Sequence, residues 1–147
     1  MKSLKPINIL MADDDADDRM LMKEALEINK LLNTMHFVED GEELIDYLNK
    51  QGKFTTLQTF RPGLILLDLN MPKIDGREAL KLIKSDDNLK RIPVVVYTTS
   101  RSETDVVDIY NLGANSFICK PTAFDHLIDT ARELGMYWSR TVTLPLR

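Results

Sequence analysis

The chain has 147 residues, 44% hydrophobic and 29% charged, which suits one soluble globular domain with a sizeable core. Its net charge of -4 argues against nucleic-acid binding, because phosphate contacts need a concentrated basic surface. No apolar run approaches the ~20 residues of a membrane span, the run before Asp13 is too short for a signal peptide, and the single cysteine, Cys119, excludes an intrachain disulfide and suits a reducing cytoplasm.

Apolar runs and helical patterns alternate along the first part of the chain. Ile7–Ala12 predicts a short strand, and three aspartates, Asp13-Asp14-Asp15, follow it directly. Asp17–Asn29 predicts an amphipathic helix with acidic residues in its first turn, where they favour the helix dipole. Met35–Val38 predicts a second strand, and Gly41 leads into a second helix. The pattern so far is strand, helix, strand, helix.

The central strand is predicted at Leu64–Leu67, after the polar connection Gly52–Arg61. Its four consecutive apolar residues lack period-2 alternation, which indicates a strand buried on both faces. The strand stops at Asp68, and Asn70 and Gly76 lie in the turn that follows. In open α/β folds ligands bind at the carboxyl edge of the sheet, so this strand delivers a carboxylate to that edge.

The second half of the chain continues the alternation. Its predicted elements are a helix through Ala79, Leu80 and Ile83 that ends around Ser85–Asn88, a strand Val94–Tyr97 that ends at Thr98, a helix from Ser102 that is closed by Gly113, a strand Ser116–Cys119 that is stopped by Lys120-Pro121, and a helix begun by Thr122 and Asp125. Five strands alternating with five helices predict an α/β fold, a parallel sheet covered on both faces. We expect one domain, with a core of about residues 7–135 and a tail at 136–147.

Polar residues stand just past four of these strands, and parallel strands bring them to one edge of the sheet. They are Asp13, Asp14, Asp68, Thr98 and Lys120. Neighbouring carboxylates repel one another unless a cation neutralises them, and hard oxygen ligands suit Mg²⁺. The backbone carbonyl of Asn70, two residues past Asp68, is positioned in sequence to face the same ion. The pattern therefore predicts a magnesium site.

This set of residues meets the needs of phosphoryl transfer to a carboxylate. Asp68 is the candidate nucleophile, and the metal and Lys120 neutralise the charge that develops on the phosphoryl group. The hydroxyl of Thr98 holds a phosphoryl oxygen. An acyl phosphate is labile, which suits a temporary signal better than a product. Unrelated acidic caps at helix starts are the competing interpretation of the same aspartates.

At these residues the chain resembles the receiver domain of bacterial two-component response regulators. The matching motifs are Asp13-Asp14, the segment Leu66–Pro72 around Asp68, Thr98 after its strand, and Lys120-Pro121, in the family's order and spacing. The resemblance covers Ile7–Gly135 and implies a doubly wound, flavodoxin-like (βα)5 sheet with strand order 2-1-3-4-5.

The resemblance also implies a role for each matching residue. Asp68 is the phosphoacceptor, Asp13, Asp14, Asp68 and the Asn70 carbonyl bind Mg²⁺, and Thr98 and Lys120 contact the phosphoryl group. Phe117 takes the place of the aromatic switch residue, which turns inward when the hydroxyl moves. It is phenylalanine here where the family often has tyrosine, so a phenolic hydrogen bond is lost. The domain catalyses at most its own phosphorylation and dephosphorylation.

Three features are similar to the single-domain regulators that serve bacterial phytochrome kinases. They are the connection Gly52–Arg61, the strand end Tyr97–Ser100, and the tail with Trp138 and Leu144-Pro145. The implied partner is a sensor histidine kinase, such as a phytochrome, or a histidine phosphotransferase. The implied output is protein contact, including a homodimer through the fourth helix (Tyr110), the fifth strand, the fifth helix and the tail, where Leu144 and Leu146 add apolar surface.

Three other interpretations stay open at this point. A flavodoxin-like FMN-binding protein shares the fold but needs a Ser/Thr/Gly-rich phosphate loop in place of Asp13–Asp15. A phosphatase with an aspartate nucleophile places a second acid two residues later, where this chain has Asn70. A phosphorelay shuttle or phosphate sink uses the same chemistry without an active-state output. Asp15, Asp17 and Asp18 are expected to cap or favour the first helix, with Asp15 also able to tune the metal site.

Overall fold

The computed structural model describes residues 6–30 and 34–145. Within these residues the strands are β1 (Asn8–Ala12), β2 (Thr34–Val38), β3 (Leu64–Leu67), β4 (Val94–Thr98) and β5 (Ser116–Cys119). The helices are α1 (Ala16–Ile28), α2 (Gly41–Asn49), α3 (Gly76–Ser85), α4 (Glu103–Asn111) and α5 (Phe124–Met136), and short 3₁₀ and π turns lie at Gly52–Thr55 and Tyr137–Thr141. The predicted alternation of strands and helices is confirmed.

The strands form one parallel sheet in the order β2-β1-β3-β4-β5. Chain order reverses beside β1, because β2 lies on one side of it and β3 on the other. Such a reversal opens a crevice at the carboxyl edge of a doubly wound sheet. The predicted fold class and strand order are confirmed.

Alternate residues of the central strands enter two different cores, one on each face of the sheet. In β3, Ile65 and Leu67 join the core that α2, α3 and α4 cover, while Leu64 and Leu66 join the core that α1 and α5 cover. All four residues of β3 are fully buried. Burial of an aliphatic side chain contributes about 1.5–3 kcal/mol, so this strand is held firmly and fixes the position of the residue that follows it.

The helix starts differ in how they are capped. Asp15 caps α1, and its side chain accepts hydrogen bonds from the backbone N–H groups of Asp17 and Asp18. Asp17 and Asp18 lie in the first turn, as expected from the sequence. The predicted start of the fifth helix at Thr122 is wrong, because α5 begins at Phe124 with no side chain capping it. The chain leaves β5 through Lys120-Pro121, and Lys120–Pro121 is trans like every other peptide bond in the described residues.

Gly76 sits at the start of α3, where it touches the turn after β3. A Cβ atom at this position would collide with the carbonyl oxygen of Asp68 and would lie 2.6 Å from the Cα atom of Leu69. The N–H of Gly76 also donates to the carbonyl oxygen of Leu69 at 2.9 Å. The first turn of α3 is therefore packed directly against the backbone that carries Asp68.

The tail folds back onto the domain. Trp138 and Leu144 pack against the core beneath α1 and α5. Leu144 lies over Gly63, where a Cβ atom would come within 3.2 Å of Leu144 Cδ1. Leu146, which we expected to contribute to an interface, lies outside the described residues. In the described part of the chain, no helix is both long and apolar enough to cross a membrane.

Candidate functional site

The register of β1 and β3 places two acidic side chains next to each other. Ala12 pairs with Leu67, so Asp13 and Asp68 each leave their strand at the same level of the sheet. The N–H of Asp68 donates to the carbonyl oxygen of Ala12 at 3.0 Å. Both aspartates are buried, Asp13 fully and Asp68 at 6% exposure. Two buried carboxylates side by side need compensating positive charge.

Part of that charge comes from Lys120, which follows β5. Cys119 pairs with Thr98, and the N–H of Lys120 donates to the carbonyl oxygen of Thr98 at 2.7 Å. The side chain then runs across the edge of the sheet beneath the protein surface. Its Nζ atom lies 2.8 Å from Asp13 Oδ2 and 3.4 Å from Asp68 Oδ2. The structure thus brings together the lysine and the two buried aspartates that the sequence predicted.

The acidic cluster fits a divalent cation. Ligand oxygens of Asp13, Asp14 and Asp68 lie within 4.8 Å of one another, and Asp14 is exposed to solvent. Asp13 Oδ2 is buried, and the ammonium of Lys120 lies 2.8 Å from it. Three carboxylates held this close, two of them buried, form a natural ligand set for a hard cation that retains water on its open side.

Burial and charge act in opposite directions on these groups. Burial raises the pKa of Asp13 to about 6, although Lys120 and the N–H of Asp15 favour the ionised form. Burial alone would lower the pKa of Lys120, but hydrogen bonds and charges from nearby aspartates outweigh it and raise that pKa. Lys120 therefore stays an ammonium, while Asp13 ionises reluctantly without further positive charge.

Thr98 and Asn70 complete the predicted set. Thr98 is fully buried at the end of β4, and its Oγ1 accepts from the N–H of Ser100 at 3.5 Å. Asn70 is exposed, and its N–H donates to Asp68 Oδ1 at 3.4 Å. Phe117 pairs with Val96 in the sheet and packs partly buried against the core beneath α4. All three therefore lie on the strands or turns that border the acidic cluster.

Three contacts at the carboxyl edge of the sheet were not predicted from the sequence. Lys120 Nζ donates to Asp18 Oδ2 at 2.7 Å, the shortest of its ion pairs. Asp105, in the first turn of α4, accepts from Ser100 Oγ and from Arg77 at 2.6 Å each. The only sequence signal for the first contact is an acid one helical turn after the Asp13-Asp14 motif, which is also what an ordinary helix start contains. Arg77 and Ser100 carried no signal.

A comparison with protein families now assigns the class of the chain. Residues 9–132 match the response regulator receiver domain. The chain belongs to this family and is a receiver domain of two-component signalling. Membership removes the flavodoxin-like and phosphatase interpretations, since neither belongs to this family.

Individual members of the family are similar to this chain over almost its whole length. The chain is 40% identical to the response regulator Rcp1 of Synechocystis over 144 residues, covering 98% of this chain and 97% of Rcp1. It superposes on the phosphorylated cyanobacterial phytochrome response regulator RcpA with a TM-score of 0.87 and 41% identity, covering 95% and 98% of the two chains. It superposes equally well on the Mn²⁺-bound form of Rcp1, at 0.87 and 40% identity, covering 95% of this chain and 99% of that one.

Proposed function

We propose that Asp68 accepts a phosphoryl group from the phosphohistidine of a sensor histidine kinase, in the cytoplasm. The observation that carries this proposal is the meeting of three carboxylates within 4.8 Å, with Lys120 Nζ 3.4 Å from Asp68 Oδ2. In the transfer, a carboxylate oxygen of Asp68 attacks phosphorus while the bond from phosphorus to the imidazole nitrogen breaks. The phosphoryl group ends as an acyl phosphate on Asp68, and the histidine leaves as a neutral imidazole after protonation.

The surrounding residues supply charge and orientation. We assign Asp13, Asp14, Asp68 and the carbonyl of Asn70 as ligands for Mg²⁺, which when bound neutralises charge on the phosphoryl oxygens. Lys120 donates to one phosphoryl oxygen, because its ammonium already lies beside Asp68. The Thr98 hydroxyl donates to another. Beyond its own phosphorylation and dephosphorylation the domain turns over no substrate.

The signal then leaves the site through Thr98 and Phe117. When Thr98 turns toward the phosphoryl group it vacates space behind β4, and Phe117 on the neighbouring strand moves into that space. Phe117 is only partly buried, so it gains buried apolar area when it moves inward. The phosphoryl group must bind the active arrangement more tightly than the inactive one, and a tenfold preference corresponds to about 1.4 kcal/mol.

A phytochrome kinase is the partner we favour over other histidine kinases or a histidine phosphotransferase. RcpA is a phytochrome response regulator, and a further structural relative from R. palustris, at 29% identity and a TM-score of 0.89, acts in red light signalling. Exposed apolar side chains of α1 (Met20, Leu21) and of the first turn of α5 (Phe124) supply a docking surface. These two helices meet beside Lys120 and Asp18, so the surface adjoins the phosphorylation site.

We also propose that active copies pair through α4, β5 and α5 as a two-fold homodimer. Tyr110 on α4 is 47% exposed, and a groove of about 500 Å³ runs between β5 and α5, lined by Ile118, Leu134 and Trp138 among others. Tyr137 and Trp138, at the start of the tail, line this groove. Leu144 contributes indirectly, because it holds the tail against Gly63.

The proposal is tested by incubating the protein with MgCl₂ and acetyl phosphate and recording its intact mass. We expect one added phosphoryl group on the wild type and none on Asp68→Asn, which keeps the shape of the side chain but is not a nucleophile. Replacing MgCl₂ with EDTA should prevent the mass gain. Phosphorylation of Asp68→Asn to the wild-type level would show that another residue accepts the group.

A further inference from the structure

Asp18 lies closer to the ammonium of Lys120 than either of the two buried aspartates, Asp13 and Asp68, does. Its Oδ2 lies 2.7 Å from Lys120 Nζ, compared with 2.8 Å for Asp13 Oδ2 and 3.4 Å for Asp68 Oδ2. The carboxylate is not needed to cap α1, because the side chain of Asp15 serves that helix end. The side chain of Asp18 is 29% exposed, so the pair sits at the rim of the site.

The number of donors on an ammonium makes this contact important. Lys120 has three N–H groups, and three carboxylate oxygens surround it. A phosphoryl group on Asp68 must draw on the same ammonium, and Asp68 makes the longest of its contacts. While Lys120 donates a hydrogen bond to Asp18, its ammonium interacts less strongly with the phosphoryl oxygens.

We propose that Asp18 is a positioning residue that keeps the Lys120 ammonium paired at the rim of the site, so that it approaches Asp68 no closer than 3.4 Å, and thereby slows phosphorylation. The inference rests on the proposed function, since it concerns the rate of that reaction. Asp18 acts through Lys120 and does not touch the reacting atoms. Breaking its ion pair should free the ammonium to move toward Asp68 and to stabilise the transition state more strongly.

Asp17 provides a matched control. It lies in the same first turn of α1, carries the same charge and is exposed, and its side chain has no contact with Lys120 among the described interactions. Asp17→Asn and Asp18→Asn therefore remove the same charge from the same helix end. A difference between the two variants isolates the contact with Lys120 from the general attraction of an anionic phosphodonor to a less acidic surface.

The experiment measures the rate of mass gain against acetyl phosphate concentration in MgCl₂. We expect Asp18→Asn to raise the maximal rate about tenfold, equivalent to about 1.4 kcal/mol, and Asp17→Asn to change it less than twofold. Asp18→Ala removes the residual amide acceptor as well and should be at least as fast. Thermal melting in EDTA establishes that each variant is folded.

A double variant that also lacks the lysine shows whether Asp18 acts through Lys120. Lys120→Met is expected to react slowly, and adding Asp18→Asn to it should leave that rate unchanged. The inference is overturned if the maximal rate of Asp18→Asn is at or below that of Asp17→Asn, or if Asp18→Asn accelerates the reaction equally with Lys120 and with Met at position 120.

The two proposals fail in distinguishable ways. Absence of any mass gain on the wild type overturns the proposed function. A wild type that is phosphorylated, at a rate that Asp18→Asn does not change, overturns this inference alone.

Discussion

Replacing Asp13 with asparagine should stabilise the metal-free protein at neutral pH while abolishing its function. The carboxyl group of Asp13 has a pKa raised by burial from 3.8 to about 6. A group whose pKa is higher in the folded than in the unfolded state favours folding when protonated. That stabilisation is complete below the unfolded value near 3.8 and is lost as the pH rises through about 6.

The size of the effect follows from the same two values. A rise of the Asp13 pKa from 3.8 to about 6 corresponds to about 3 kcal/mol of unfolding free energy, because each pKa unit is equivalent to about 1.36 kcal/mol. The side chain is 1% exposed, so solvent screening reduces this value little. Asparagine is a neutral isostere and avoids the cost of ionisation, which predicts a melting temperature higher than that of the wild type by up to about 10 °C for a domain of this size.

The assay is thermal unfolding of the wild type and Asp13→Asn in EDTA at pH 5 and pH 7.5. We expect the variant to be more stable at both pH values, by about half as much at pH 5, which lies midway between the two pKa values, as at pH 7.5, where the difference is complete. Mg²⁺ should then stabilise the wild type by about 1.4 kcal/mol at ten times its dissociation constant and the variant much less. A variant that melts below the wild type at pH 7.5 in EDTA would refute the reasoning, since it would mean that the Asp13–Lys120 pair outweighs the cost of burial.

Three further predictions concern the surroundings of the site. Gly76→Ala should displace the backbone of Asp68, which is expected to lower the free energy of unfolding by about 3 kcal/mol and to slow phosphorylation by acetyl phosphate. An unchanged phosphorylation rate would count against close packing of α3 on that turn. Hydrogen bonds from Ser100 and Arg77 lower the pKa of Asp105, so they stabilise the β4–α4 connection above the unfolded pKa, and this stabilisation is lost as the pH falls through the lowered pKa. Asp105→Asn should speed amide exchange there at pH 7, by a factor that shrinks as the pH is lowered below 3.8. Truncation after Gly135 should shift the protein toward monomer in sedimentation, and unchanged dimerisation would contradict a role for the tail.

The fold was predictable because the strands of this sheet carry strong local signals. β3 is a purely aliphatic run of four residues that ends at an acid, a pattern typical of a buried strand. Its two-sided burial follows from the absence of alternation, which the two separate cores confirm. The start of α5 was less predictable, because Thr122 offers a capping side chain that the chain does not use. Tertiary packing after Lys120-Pro121 decides where that helix begins, and packing leaves no local mark in the sequence.

The site was predictable only as far as its residues follow strand ends. Asp13, Asp68 and Lys120 do so, and the parallel register then brings them within ion-pair distance. Asp18 lies within a helix, and an acid in a first helical turn is sufficiently explained by the helix dipole. Its contact with Lys120 joins residues 102 positions apart and depends on how α1 lies across the carboxyl edge. No periodicity or spacing could have revealed it.

The balance of charge at this edge explains why stability and reactivity oppose each other here. Asp13, Asp18 and Asp68 surround the ammonium of Lys120, and Asp14 lies beside Asp13 and Asp68, so the metal-free site keeps an excess of negative charge. A divalent cation relieves most of it, and an arriving phosphoryl group restores it. We expect each event to change which carboxylate Lys120 pairs with most strongly. The carbonyl of Thr98 accepts from the backbone N–H of Lys120, so the lysine and the hydroxyl that we propose as the switch stand at neighbouring, hydrogen-bonded strand ends.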